Sequence, residues 1–79
     1  MNFSAEEKEG SIWIIKVKYS LMGHPETTEL DSILSDIISN GCTGVVIDLQ
    51  DCPWINSSGF HALITQKKRF NENGKSFLL

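Results

Sequence analysis

From Ser11 to Ser20 the chain reads SIWIIKVKYS, in which Trp13, Ile15, Val17 and Tyr19 alternate with Ile14, Lys16 and Lys18. A period of two predicts a strand with one face in a core and lysines on a face that sees water. Residues 2–8, NFSAEEK, predict a short edge strand ahead of it, and Glu9-Gly10 marks the turn between them. Leu21-Met22-Gly23-His24-Pro25 breaks the alternation. Leu30, Ile33, Leu34, Ile37 and Ile38 then repeat at i, i+3, i+4, i+7 and i+8, which predicts an amphipathic helix over 26–40. Pro25 suits its first turn, Glu26 and Glu29 suit the positive end of its dipole, and Asn40-Gly41 suits its end. Gly44-Val45-Val46-Ile47-Asp48-Leu49 is short and nearly continuously apolar, the pattern of a central strand buried on both faces. After a loop over 50–54, a second helical pattern over 58–73 sets Phe60, Leu63 and Ile64 toward the core, and Asn73-Gly74 stops it. Lys75 to Leu79 reads as a last strand.

Strand, helix, strand in this order implies a parallel crossover. The expected fold is therefore α/β, a mixed sheet with helices packed mainly on one face. The chain has 79 residues, enough for one domain over 1–79 and too few for two. A net charge of −3 speaks against nucleic-acid binding by bulk electrostatics. Lys67-Lys68-Arg69 runs against that charge and reads as a solvated helix face or a contact for an acidic partner. No apolar run approaches the roughly 20 residues that span a bilayer, and Met1 to Glu7 lacks the apolar core of a secretory signal. A cytoplasmic protein with reduced thiols is expected. Cys42 and Cys52 lack metal-type spacing, so neither a disulfide nor a metal is expected. Cys42 reads as a small buried hydrophobe. Trp54, in the loop, reads as a core residue first and as a partner contact second.

The candidate chemistry lies in INSSGF, Ile55 to Phe60, between the apolar strand and the second helix. Four roles are open to its serines. Asn56 or Ser57 suits the helix N-cap, which explains one polar residue but not three in a row before Gly59. A nucleophile elbow needs G-x-S-x-G, and Ile55 stands where its first glycine belongs. His61 lies four residues past Ser57, with no apparent group to orient it as a base. A phosphate loop of the G-x-x-x-x-G-K-[ST] type is absent. A serine at a helix start is also a good phosphoacceptor, because the helix dipole tolerates the roughly −1.5 to −2 charges that phosphate adds.

The run GVVIDL, a loop, INSSGFHALI, an Asn-Gly turn and an apolar strand resembles the STAS domain, the family of sulfate transporters and anti-sigma factor antagonists. The resemblance covers nearly the whole chain and is most specific over residues 44–64. It implies a protein-interaction switch, not an enzyme, with no cofactor. Ser57 would be the phosphoacceptor, and Asn56, Ser57, Ser58, Gly59, Phe60 and His61 would form the partner surface. The implied partners are a serine kinase that is also an anti-sigma factor, and a phosphatase that resets the switch. Other members of the family are unphosphorylated scaffolds or adaptors in transport, lipid-trafficking or signalling complexes.

Three departures qualify the resemblance. Asn56 stands where phosphorylated members carry Asp. His61, read as an exposed surface residue, stands where a small Gly is common. Family members continue for roughly 20 to 30 residues past the last strand, so a domain truncated there is expected. The apolar surface then left open is one that a second copy of the chain would cover.

Overall fold

The computed structural model describes residues 3–79. Six elements follow in chain order: β1 (Phe3–Lys8), β2 (Ile12–Val17), α1 (Glu26–Ser39), β3 (Gly44–Asp48), α2 (Ser57–Glu72) and β4 (Ser76–Leu78). They form one four-stranded sheet in the order β1-β2-β3-β4. β1 pairs antiparallel with β2, across a turn in which Gly10 and Ser11 both take positive φ. β2, β3 and β4 run parallel, so α1 and α2 serve as the crossovers. The sheet is mixed, as the pattern along the chain predicted. Asn2, the first residue of the expected edge strand, lies outside the described residues.

Both helices lie on one face. Ile15 and Val17 of β2, Val45 and Ile47 of β3 and Phe77 of β4 are buried with Leu30, Leu34 and Ile37 of α1 and Leu63 and Phe70 of α2. Phe70 and Phe77 meet edge to face, with ring centroids 5.4 Å apart. The α1 stripe holds as read, with Ile33 and Ile38 packed at its margins. The other face of the sheet is open, since Ile12 and Leu78 are exposed and Val46 only half-buried. β3 is therefore not buried on both faces; its apolar run reflects strand propensity on the open side as much as burial.

The starts of the parallel strands are tied together by Thr43. Its amide donates to Ser11 O at 2.9 Å, its hydroxyl donates to Gly10 O, and its own carbonyl accepts from Ser76 N at 3.2 Å. Cys42, just before β3, is buried as a small hydrophobe, and both cysteines are free thiols. At the other end, Asp48 Oδ1 accepts from Gln50 N at 2.9 Å and turns the chain out of the sheet.

Three core assignments change. Tyr19 is exposed because β2 ends at Val17 and the alternation has no sheet beyond it. Trp54 is 72 % exposed, in the loop between β3 and α2. On α2 the buried positions are Gly59, Leu63, Gln66 and Phe70, while Phe60 and Ile64 face outward. α2 also begins one residue earlier than expected, at Ser57.

Candidate functional site

The strand-to-helix junction is held by three hydrogen bonds to the loop after β2. Leu21 N donates to Trp54 O at 2.9 Å, and Asn56 N donates to Leu21 O at 3.2 Å. These make Leu21 and Ile55 a parallel bridge outside the main strands. The third bond comes from the Asn56 side chain, whose Nδ2 donates to Met22 O at 3.0 Å. Leu21 itself is fully buried, so its side chain anchors the loop from below.

Asn56 is the N-cap. Its backbone is extended, with φ −92° and ψ −176°, and its Oδ1 accepts from Gly59 N at 2.9 Å. Such a cap contributes about 1 kcal/mol. The amide is thus used at both ends, its oxygen on α2 and its nitrogen on the β2–α1 loop. The two partners fix which way it points, because Gly59 N–H can only donate and Met22 O can only accept. An aspartate here would keep the cap but set an oxygen against the Met22 carbonyl.

Gly59 is needed for space. It is buried, and a Cβ added to it would lie 2.8 Å from Leu21 C and Leu21 Cβ, and closer still to Leu21 O. The first turn of α2 rides directly on the Leu21 backbone. That role is tertiary, and nothing in the local pattern announces it.

With the Gly59 and Phe60 amides bonded to Asn56, the N–H groups of Ser57 and Ser58 remain at the open end of the helix. Both serines are exposed, and among the described residues no protein group hydrogen-bonds to either hydroxyl. His61 is exposed, one turn away, and makes no hydrogen bond to Ser57. Around the serines lie Met22, Trp54, Ile55 and Phe60, all exposed. Of the six consecutive residues Asn56 to His61, only Asn56 and Gly59 are turned inward. Sequence reasoning missed Met22 as a member of this rim and favoured the core for Trp54. Met22 is reached through Asn56 Nδ2, a contact no local spacing encodes.

No protein-family model matches the sequence, and no curated protein matches it either. Solved structures do match. The anti-sigma factor antagonist SpoIIAA in its unphosphorylated form superposes with a TM-score of 0.80 at 17 % identity, over 98 % of this chain and 67 % of that one. The chain has the STAS fold. The Bacillus cell fate determinant SpoIIAA in the phosphorylated form gives the same TM-score and identity, over 98 % of this chain and 69 % of that one. Mglu contains the fold too, with a TM-score of 0.82 at 17 % identity, but this chain spans only 18 % of it. A two-helix STAS-type layer over a four-stranded sheet thus carries the Asn56–Gly59 junction. Among the described residues no helix is long and apolar enough to cross a membrane, and no cluster of His, Cys, Asp and Glu forms a metal site.

Proposed function

We propose that the chain is a cytoplasmic protein-interaction switch in which Ser57 is phosphorylated by a partner serine kinase that also acts as an anti-sigma factor. A phosphatase restores the free hydroxyl. The observation that carries the reading is the division of labour at the start of α2. Asn56 does the capping, so Ser57 and Ser58 are left exposed and unbonded at the positive end of a helix, inside an apolar rim. That SpoIIAA shares the fold and occurs in phosphorylated and unphosphorylated forms supports the reading.

In the transfer, Ser57 Oγ attacks the γ-phosphorus of ATP bound to the kinase. The new O–P bond forms as the bond to the β-phosphate oxygen breaks, ADP leaves, and a base on the kinase takes the hydroxyl proton. The product carries about −1.5 to −2 charges at neutral pH. The free N–H groups at the helix start accommodate it on this chain. A partner packed over Met22, Trp54 and Phe60 must instead desolvate a dianion, and it dissociates. We read the site as binding rather than catalytic.

A second reading is a constitutive adaptor that uses the same rim without phosphate. Asn56 favours it, since its bond to Met22 replaces the acid of the phosphorylated relatives with a structural tie. Incubation with the candidate kinase and ATP, followed by phosphosite mapping, separates the two. The switch requires a single phosphoryl group on Ser57, absent from Ser57→Ala, and partner binding lost in Ser57→Asp but kept in Ser57→Ala. Equal binding by both variants, with no modification, establishes the adaptor.

A further inference from the structure

The charge of this chain is sorted between its two helices. α1 carries Glu26, Glu29, Asp31 and Asp36 and has no lysine or arginine. From Asn56 to Asn71 there is no carboxylate at all, in a chain with ten acidic residues and a net charge of −3. The basic residues of α2 do not neutralise α1. Arg69 is committed to Ser35 Oγ at 2.7 Å, whereas Lys67 and Lys68 are exposed and, among the described residues, form no ion pair.

Those two lysines continue an apolar strip. Phe60, Ile64, Lys67, Lys68 and Asn71 recur at helical spacing on the exposed side of α2 that flanks the buried face of Leu63, Gln66 and Phe70. Phe60 is 56 % and Ile64 44 % exposed. Ile64, Lys67, Lys68, Asn71 and Glu72 line one shallow depression, in which Glu72 is the single carboxylate. α2 therefore has a second amphipathic face, running from the serines toward its C-terminus.

We infer that this outer face of α2 is the docking track for an acidic amphipathic segment of the partner protein. The segment sets apolar side chains on Phe60 and Ile64 and carboxylates on Lys67 and Lys68. The inference rests on the switch reading and extends it from the serine to the length of the helix. Apolar contacts there set the lifetime of the complex, and the lysine pair sets its rate of formation and its salt dependence.

The test uses the whole chain and the serine kinase that phosphorylates Ser57, with affinity and rates measured by surface plasmon resonance at low and high salt. Lys67→Glu combined with Lys68→Glu should weaken binding about tenfold or more at low salt, mainly through slower association, and flatten its salt dependence. Lys16→Glu combined with Lys18→Glu makes the same change in net charge elsewhere and should leave affinity within about twofold. Ile64→Ala should act on dissociation. All these side chains are exposed, and circular dichroism checks that each variant is folded. Equal effects of the two lysine pairs, or none from Lys67 and Lys68, overturn the docking track while Ser57 phosphorylation still stands. A kinase that neither binds nor modifies Ser57 removes both. Binding of the chain to phosphatidylglycerol vesicles, lost in the Lys67/Lys68 variant, would assign the face to an anionic membrane and overturn the protein partner.

Discussion

At the residue scale, the junction depends on one side chain that reaches two ways and one that is missing. Asn56 ties α2 to the β2–α1 loop through Gly59 N and Met22 O. Gly59 lets the helix sit on the Leu21 backbone. Helix propensity alone says that alanine at position 59 should stabilise by about 1 kcal/mol. The Leu21 carbonyl says the reverse, since backbone cannot swing aside as a flexible side chain would. Gly59→Ala should therefore destabilise the chain by about 2 kcal/mol or more, seen as a lower urea midpoint with unchanged slope. A midpoint at or above the parent value would show that the loop yields, and that the junction is softer than its hydrogen bonds imply.

At the element scale, α1 was legible in the sequence and α2 only half so. The α1 stripe has one apolar side, so periodicity and burial agree on Leu30, Leu34 and Ile37. α2 has apolar residues on two sides. Leu63 and Phe70 share a face with Gly59 and Gln66, and Phe60 and Ile64 share another. Periodicity finds a helix in either case but cannot say which face meets the sheet, and the clue was the small residue. Gly59 marks the side of closest approach, while a large aromatic at Phe60 pulled the reading the wrong way. Trp54 failed for a related reason, because the tendency of aromatics to be buried does not hold on the rim proposed here to meet a partner. The start of α2 was legible to within one residue, since capping chemistry is local. The two faces of α2 should separate in energy. Leu63→Ala and Phe70→Ala should each cost about 2–5 kcal/mol in urea denaturation, whereas Phe60→Ala and Ile64→Ala should stay within about 0.5 kcal/mol. A large cost at Phe60 would place it in the core after all and remove it from the partner rim.

At the scale of the whole molecule, the proposed switch asks for a change in binding without a change in fold. The geometry allows this. Ser57 and Ser58 lie outside the core, α2 is fixed from beneath by Leu63 and Phe70, and the cap is made by Asn56. A phosphate at the helix start meets the positive end of the dipole, which favours it by about 0.3–1 kcal/mol at an exposed site. The phosphorylated chain should then unfold at the same urea concentration as the free one, or slightly higher, while its affinity for the partner collapses. Trp54 offers a direct readout in a single-tryptophan background, because Trp13 is half-buried beside the core and can be replaced by phenylalanine. In Trp13→Phe, the emission of Trp54 should resemble solvated tryptophan and be readily quenched by iodide. Partner docking should shift it to the blue and protect it, in the unphosphorylated chain only. Emission that stays solvated while the partner binds would move the interface away from the serines. A phosphorylated chain that unfolds at markedly lower urea would make the switch a matter of local melting, with α2 released from Leu21 instead of a rim closed to its partner by charge.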